Sequence, residues 1–464
     1  MRTLIFLLHI LPTIYALFWK LPLGNRFSIQ SKEIRRPIKY SLSADKQEIV
    51  NKFDGFYGLL GPDVNITNVN NIFDLFTGDG MVQGIFFNKG ELVFIKHMIR
   101  TDKLVYELEN GKIPNNPFMK LLFSIGNVVG ILPNILGLAN TAFMNIGSRY
   151  FALYERDVPY EIAIDFHNKT VSTIKKIPLS MIEHFSAHTK VSGIIETVDY
   201  HVASKKVSYY KLNENLEMIS KKDISMQYMP IIHDIISTNE KIILMDSPII
   251  MDMSHLLNKP APVILNKDKR TWIYILNKND NSLDRFSINE GIYIFHYADY
   301  KETRDFINIY ASQYEELDFS DLNIKGKYRR IQINKNTKEV SIHKNPEIEN
   351  LDLEFPISYE DKVILRSIKN KVSNGFIVCQ GLEIIKRLEY ENRCFCGEPG
   401  ITIIEKVPYL ISFAFDLLDK EKGILVIINM HSYEVIEIPL HIPITIGFHS
   451  AFFPKSVGPS YNAQ

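Results

Sequence analysis

Four of the thirteen histidines in the sequence have settings that suggest a metal site. His233, His296 and His449 lie in strongly apolar segments, and His188 lies in the segment Ser186–Lys190. A buried imidazole needs a hydrogen-bond acceptor or a metal ion, because an unpaired polar group in apolar surroundings is costly. The intervals between them are 45, 63 and 153 residues, so no local motif groups them. A closed radial fold could direct one histidine from each of several inner strands to a common axis.

The common local metal signatures are missing from the sequence. Neither H-E-x-x-H nor H-x-H occurs. Cys394 and Cys396 form C-x-C, and Cys379 alone cannot complete a zinc ribbon or a disulfide framework. For any single histidine, a packed or surface position is the ordinary alternative to a metal ligand.

The composition is that of a globular protein of 464 residues, with 46% hydrophobic and 23% charged residues. The 53 basic residues balance the 53 acidic ones. Nucleic-acid-binding proteins usually carry a basic excess, so the charge balance argues against a nucleic-acid partner.

Short strands joined by tight turns predict an all-β fold. Five hairpins are expected, at Ile85–Ile95, Glu161–Ile174, Tyr209–Ile219, Arg329–Ile342 and Ile424–Ile438. Strands and helices do not alternate along the sequence, so a parallel sheet is not predicted. A long sandwich and a propeller both fit this pattern, and a propeller avoids exposed sheet edges by radial repetition.

Two internal stretches interrupt the strand pattern. Pro114–Thr141 is apolar and predicted to be helical in pieces, but Lys120 and Pro133 argue against a membrane span. Its helices would either be buried under a cap or form a patch that touches lipid. Lys301–Phe319 is predicted to be a polar helix or loop.

The first twenty residues contain an apolar run from Leu4 to Phe18 after Arg2. This run is short for a membrane span and is typical of a signal peptide or a membrane-surface anchor. The expected organisation is therefore a targeting or anchor segment at 1–20 and a single domain at 21–464. The compartment stays open between secretory and organellar, with peripheral membrane attachment.

A series of short motifs in chain order resembles those of the carotenoid cleavage oxygenases, also called retinoid or apocarotenoid oxygenases. Each motif is weak alone, but together they run from about Gly55 to Pro454. The matching segments are Gly55–Pro62, Phe76–Val82, Ala139–Thr141, Phe151–Glu155, those around His188 and His233, Phe295–His296, Leu353–Pro356, Gly397–Pro399 and Gly447–Pro454.

The resemblance implies a seven-bladed β-propeller with a helical cap over the face that carries iron. It also implies one Fe(II) ion per chain, held by His188, His233, His296 and His449. Imidazole also suits zinc, copper and nickel, so the residues alone do not select the metal.

Three glutamates match family positions that support the ligands. The resemblance implies hydrogen bonds from His233 to Glu155, from His296 to Glu354 and from His449 to Glu398. Such carboxylates offset the charge of the ion and orient the imidazole rings. Thr141 matches a threonine that lies near the iron, where its methyl group could restrict one coordination position. A surface charge for each glutamate, and a strand or cap position for Thr141, are the alternatives.

The activity implied by the resemblance is oxidative cleavage of a conjugated C=C bond in a carotenoid or apocarotenoid, with O₂ as co-substrate. Phe295, Tyr297, Phe448 and Phe452 are candidates, with Thr141, for the wall of an apolar substrate tunnel. The alternative for the aromatic residues is a place in the propeller core. Because such substrates reside in lipid, the enzyme is expected at a membrane surface, with Met119–Leu138 as the contact.

Three other functions remain open on the same sequence. Two are enzymatic, namely isomerisation and hydrolysis of a retinyl-type ester, and cleavage of a stilbene-type phenol. The third is a propeller without catalysis that binds a lipid or a protein.

Overall fold

The computed structural model describes residues 34–64, 75–111, 137–179, 181–251, 263–317 and 325–455. The predicted targeting or anchor segment 1–20 lies outside these residues, as does most of the apolar stretch 114–141. The described end of that stretch, residues 137–141, is not helical.

Seven antiparallel sheets of four or five strands arranged as a β-propeller make up the described chain, which confirms the expected fold class. We number the sheets in chain order. Sheet 1 contains β1 (Ile34–Tyr40), β2 (Asp54–Asp63), β3 (Asp79–Asn88), β4 (Glu91–Met98) and β32 (His449–Pro454). Sheet 2 contains β5 (Ala142–Ile146), β6 (Arg149–Leu153), β7 (Tyr160–Asp165) and β8 (Thr170–Lys176). Sheet 3 contains β9 (Lys190–Val191), β10 (Ile195–His201), β11 (Lys206–Leu212) and β12 (Met218–Ser225).

The remaining sheets follow the same plan, with one additional hairpin. Sheet 4 contains β13 (Ile236–Ser237), β14 (Lys241–Asp246), β17 (Thr271–Asn277) and β18 (Leu283–Ile288), while β15 (Ile249–Met251) and β16 (Val263–Leu265) pair separately. Sheet 5 contains β19 (Tyr293–Glu302), β20 (Phe306–Tyr314), β21 (Lys327–Asn334) and β22 (Val340–His343). Sheet 6 contains β23 (Asp352–Tyr359), β24 (Lys362–Lys369), β25 (Val372–Gln380) and β26 (Glu383–Glu389). Sheet 7 contains β27 (Arg393–Phe395), β28 (Gly400–Ile404), β29 (Val407–Asp416), β30 (Gly423–Asn429) and β31 (Val435–Pro439).

All five predicted hairpins occur, as β3–β4, β7–β8, β11–β12, β21–β22 and β30–β31. In the first, Lys89 and Gly90 take positive φ values of 46° and 92°, which a tight turn requires. A Cβ atom on Gly90 would lie 1.7 Å from the end of the Gln47 side chain, which would have to move.

The prediction of a polar helix or loop at Lys301–Phe319 is wrong, because β19 ends within it at Glu302 and β20 follows from Phe306 to Tyr314. Ile307, Ile309 and Ala311 are buried in the apolar core between sheets 4 and 5. The charged residues that suggested a loop, including Lys301 and Glu302, lie instead at the exposed hairpin end of β19. The alternating apolar residues therefore decide the structure of this segment.

The ring of sheets closes where the end of the described chain joins its beginning. Strand β32 pairs with β2, in register from Gly55 opposite Pro454 to Leu60 opposite His449. The backbones pack closely at this seam, since a Cβ atom on Gly61 would lie 2.3 Å from the Cα of Gly447. Closure therefore fixes the position of His449 relative to sheet 1.

Three short helices lie outside the sheets in the described chain, at α1 (Ala44–Val50), α2 (Asp102–Asn110) and α3 (Pro346–Glu349). The Thr101 side chain caps α2 by accepting a hydrogen bond from the Leu104 amide at 3.2 Å. None of the described helices is long and apolar enough to cross a membrane.

Candidate metal centre

The four histidines predicted to bind metal lie at or just before edge strands of four different sheets. His188 precedes β9 by two residues, His233 precedes β13 by three, His296 lies in β19 and His449 begins β32. Of the opposite edge strands of sheets 3 to 5, β12 is largely exposed and β18 and β22 are partly exposed, whereas all four histidines are buried. The histidine-bearing edges therefore face one another across the axis of the propeller.

The four imidazole rings meet in one cluster. One potential ligand atom from each lies within 4.8 Å of all the others, and this is the one such group found among the described residues. Nitrogens bonded to a common ion at ~2.1 Å are at most ~4.2 Å apart, so closure around an ion needs movements of roughly 0.3 Å. The cluster is thus compatible with one metal ion.

The separations of the rings indicate the geometry that such an ion would have. Five of the six distances between ring centroids lie between 4.3 and 5.0 Å, and His233 and His449 are 6.4 Å apart. A tetrahedron has six equal edges. One long and five short separations instead match four corners of an octahedron that leaves two neighbouring corners open.

Three carboxylates pair with three of the rings. His233 Nδ1 lies 2.6 Å from Glu155, His296 Nδ1 lies 2.7 Å from Glu354, and His449 Nδ1 lies 2.9 Å from Glu398. These are the pairs that the family resemblance implied. Because an ionised carboxylate only accepts hydrogen bonds, each Nδ1 carries the proton and each Nε2 keeps its lone pair for a metal.

The Nε2 atoms provide the test of whether a metal fits. Those of His188 and His296 are buried and have no hydrogen-bond partner in the described part of the protein. A buried polar atom is rarely left unpaired unless it binds an ion or water. No carboxylate hydrogen bond to His188 occurs among the described residues. The donor set therefore fits a divalent transition metal ion.

Burial favours the neutral state that a metal needs at His188 and His449. Burial lowers the pKa of His188 well below its ordinary value, and the other three imidazoles add to this. Burial also lowers the pKa of His449. For His296, burial acts in the same direction, but the Glu354 carboxylate outweighs it and raises the pKa. A neutral imidazole is the form that binds metal, and divalent charge in the cluster would favour it at every ring.

Two tyrosines that the sequence analysis missed support the carboxylates. Tyr200 donates a hydrogen bond to Glu155, and Tyr314 donates one of 2.7 Å to Glu354. Burial would raise the pKa of both carboxyl groups, but the paired histidines outweigh it and lower the pKa of Glu155 and of Glu354. Both groups therefore remain ionised. No local sequence signal marks these tyrosines, because they come from other strands.

Asp234 links three segments of the chain that contain or directly follow a ligand histidine. Its side chain pairs with the Lys190 ammonium group at 2.9 Å and accepts a hydrogen bond of 3.1 Å from the Tyr297 amide. Lys190 follows His188 by two residues, and Asp234 and Tyr297 directly follow His233 and His296. One buried carboxylate thus holds β9, the loop before β13, and β19 in register.

Asp234→Ala is expected to weaken metal binding about 10–100-fold, the usual effect of losing a residue that orients ligands. It would also lower the unfolding temperature, because the partly buried Lys190 ammonium group and an amide lose their acceptor. Asp234→Asn should be milder, since its amide oxygen can still accept from Tyr297. Metal titration and thermal unfolding measure both effects. Asp268→Ala, at an exposed position, is the control, and metal affinity in Asp234→Ala equal to that of the control would contradict the expectation.

Two loops from the motifs near the N-terminal end are joined by hydrogen bonds. Asn140 donates hydrogen bonds to the carbonyl groups of Phe76 and Gly78, and the Gly80 amide donates to the Leu138 carbonyl. Thr141 is buried and donates a hydrogen bond of 3.0 Å to the Asn140 side chain. Its proposed contact with a coordination position stays a prediction.

The four aromatic candidates for a tunnel wall occupy two kinds of position. Phe295 packs edge-on against His233 with ring centroids 5.7 Å apart, and Phe448 lies 5.8 Å from Phe76. Tyr297 packs instead with the core between sheets 4 and 5, and Phe452 packs with the core between sheets 1 and 7. Phe295 is also buried in an apolar cluster with Tyr293 and Tyr314. A place in a tunnel wall therefore stays a prediction for all four residues.

Comparison with known protein families gives one match that covers most of the chain. The family model described as "Retinal pigment epithelial membrane protein" matches residues 48–454. This range includes all four histidines and the three paired glutamates.

Curated relatives match over shorter regions. A chloroplastic 9-cis-epoxycarotenoid dioxygenase of Arabidopsis thaliana is 25% identical over 229 residues, 44% of this chain and 39% of the relative. A carotenoid 9,10(9',10')-cleavage dioxygenase of Pisum sativum is 24% identical over 291 residues, 56% of this chain and 52% of the relative. The matched regions thus span about half or less of these relatives.

Solved structures match over nearly the whole fold. Cobalt-substituted apocarotenoid oxygenase of Synechocystis has a TM-score of 0.72 at 18% identity and covers 91% of this chain and 97% of its own. Lignostilbene dioxygenase of Pseudomonas brassicacearum has a TM-score of 0.72 at 14% identity and covers 91% and 95%. At these identities the likeness establishes the shared fold.

Proposed function

Because this chain belongs to the retinal pigment epithelial membrane protein family, which includes the carotenoid cleavage oxygenases, we propose that it is a non-haem iron(II) dioxygenase that cleaves a conjugated C=C bond of a carotenoid or apocarotenoid. The observation that carries the proposal is the cluster of four buried histidines, three of them paired with carboxylates. Its products would be aldehydes or ketones.

His188, His233, His296 and His449 would hold the iron through their Nε2 atoms. Bound ferrous iron supplies the activation of dioxygen, which the polypeptide itself cannot provide. Glu155, Glu354 and Glu398 hold the proton at Nδ1 of their partner rings and so fix the direction of each Nε2 lone pair.

The substrate would be positioned by apolar contacts. Phe295 packs on His233, and Phe76 and Phe448 contact each other. Partly buried Met229, Ile231, Val263 and Leu265 pack against the same aromatic cluster as Phe295. Such a wall excludes water and aligns a rigid polyene without hydrogen bonds, which is the contribution required of the protein.

The experiment that tests the proposal is a substrate panel with iron-loaded protein under ¹⁸O₂. The panel contains a carotenoid, an apocarotenoid, a retinyl ester and a stilbene, and products are identified by mass spectrometry. Labelled aldehyde from a polyene supports the proposal. Ester hydrolysis with isomerisation, or cleavage of the stilbene alone, would select one of the other two reactions. Zinc-loaded protein is the matched control, because zinc has no redox chemistry.

Membrane attachment through Met119–Leu138 forms a second part of the proposal. Its support is the apolar sequence and the lipid solubility of polyenes. Protein lacking residues 1–20 should pellet with liposomes, and Leu121→Glu with Phe123→Glu should abolish this while iron stays bound. Leu418→Glu, at a position 82% exposed in the described chain, is the control. A truncated protein that stays soluble beside liposomes and still cleaves micellar substrate would contradict this part alone.

A further inference from the structure

The buried charges around the four histidines do not balance without a further cation. Glu155, Glu354 and Glu398 are the carboxylates paired with the rings. Three ionised carboxylates exceed the charge of one divalent ion by one unit, since four neutral imidazoles contribute none. An uncompensated charge in a buried site is costly, so a further positive charge is expected close to it.

Arg366 is the buried cation that can supply this positive charge. It lies in β24 directly opposite Glu354 of β23. Its side chain is buried, no ion pair or side-chain hydrogen bond to the guanidinium group occurs within the described residues, and its Nε atom has no acceptor there. Burial lowers the pKa of Arg366, but a guanidinium group keeps its proton in proteins. A buried arginine without a carboxylate in contact requires an explanation.

Phe355 connects this guanidinium group to the metal site. The Arg366 Cζ atom lies 4.1 Å from the centroid of the Phe355 ring, a cation–π contact. The same ring lies 5.1 Å from the His296 ring and 5.2 Å from the His449 ring. Phe355 has a φ of 53°, which is strained for an aromatic residue and rarely persists unless its surroundings enforce it.

Other charges near the rings do not supply the missing unit. Lys190 and Asp234 form an ion pair with each other. Arg156 lies over the ring of Tyr200, which donates a hydrogen bond to Glu155. Arg156 and Glu155 are both partly exposed, so solvent screens the charges of both. The thiols of Cys394 and Cys396 are close to Arg366, and burial raises the pKa of both, so they stay neutral.

We propose that Arg366 is a positioning and charge-balancing residue of the metal centre, which brings the buried charge to zero when the ion is divalent and thereby favours the ferrous over the ferric state. This inference rests on the proposed four-histidine iron site. Arg366 would act on the metal ion through its charge, without a bond to any of the four histidines. The alternative is that the arginine only packs on Phe355 and fills space.

The two explanations predict different changes in the reduction potential of the iron. Removal of a positive charge about 10 Å away, at an effective dielectric constant of about 20, shifts an equilibrium between charge states about tenfold. For a one-electron couple, a tenfold shift equals ~59 mV. Arg366→Met should therefore favour ferric iron about tenfold. Arg366→Lys keeps the charge without the planar guanidinium group and should stay near the wild-type value.

The experiment is redox titration of iron-loaded wild-type protein, Arg366→Met and Arg366→Lys, with metal content measured in each. A lower potential in Arg366→Met and a value near wild type in Arg366→Lys support the proposal. Equal potentials in wild type and Arg366→Met, with one iron per chain in both, overturn it and leave the proposed function intact. A wild-type protein that binds no metal overturns both.

A double variant covers the case in which Arg366→Met does not fold. Glu398→Gln removes one negative charge but keeps an acceptor for the His449 proton, so the double variant restores the balance. Charge balance predicts that Arg366→Met with Glu398→Gln unfolds at a higher temperature than Arg366→Met alone and recovers the wild-type potential when loaded with iron. A double variant less stable than, or only as stable as, the single variant would contradict the proposal.

Discussion

Replacement of any one of His188, His233, His296 or His449 by alanine should reduce bound iron from one ion per chain to near zero and abolish cleavage. Each ring supplies one of four ligand atoms, and no other group of three or more metal-ligating residues occurs in the described chain, so no substitute is at hand. Metal content of purified protein by mass spectrometry measures the effect. Addition of iron should also cease to raise the unfolding temperature, because a ligand stabilises only a folded state that binds it.

The control for these variants is His431→Ala, which changes an exposed histidine in the turn between β30 and β31. It should retain iron and activity. Full iron occupancy in any two of the four alanine variants would contradict the assignment of the ligands.

Glu354→Ala should weaken iron binding more than Glu354→Gln, with losses in affinity or activity of ~10–100-fold for residues of this kind. Glu354 accepts hydrogen bonds from His296, from Tyr314 and from the Phe355 amide. Alanine leaves all three donors unpaired, whereas glutamine keeps an acceptor oxygen and loses only the charge. Competition with a chelator measures the change in metal affinity.

The matched control for this prediction is Glu383→Gln, at an exposed position in β26. The same comparison at Glu155 and Glu398 tests the other two pairs. Metal affinity in Glu354→Ala equal to that of the control would show that the carboxylate does not support the ligand.

The parts of the fold that the sequence predicted are those determined by local patterns. The β3–β4 and β7–β8 hairpins follow from alternating apolar residues and turn residues that tolerate positive φ, such as Lys89, Gly90 and Lys169. The prediction for Lys301–Phe319 was wrong because the charged residues at its hairpin end concealed the alternating apolar residues of β20.

Only part of the candidate site could likewise be predicted from the sequence. His233, His296 and His449 are recognisable because an imidazole in an apolar segment needs a partner. Tyr200, Tyr314, Asp234 and Arg366 have no such local signal, since each acts on a residue of another strand or loop. Their roles depend on which strands the propeller brings together, and this becomes visible only in three dimensions.

The most direct test of the central claim is anomalous diffraction across the iron absorption edge from crystals of the iron-loaded protein. The account predicts a single anomalous peak on the propeller axis, within bonding distance (~2.1 Å) of the Nε2 atoms of His188, His233, His296 and His449. A protein that takes up no iron, or a peak that contacts fewer than four of these rings, would contradict it.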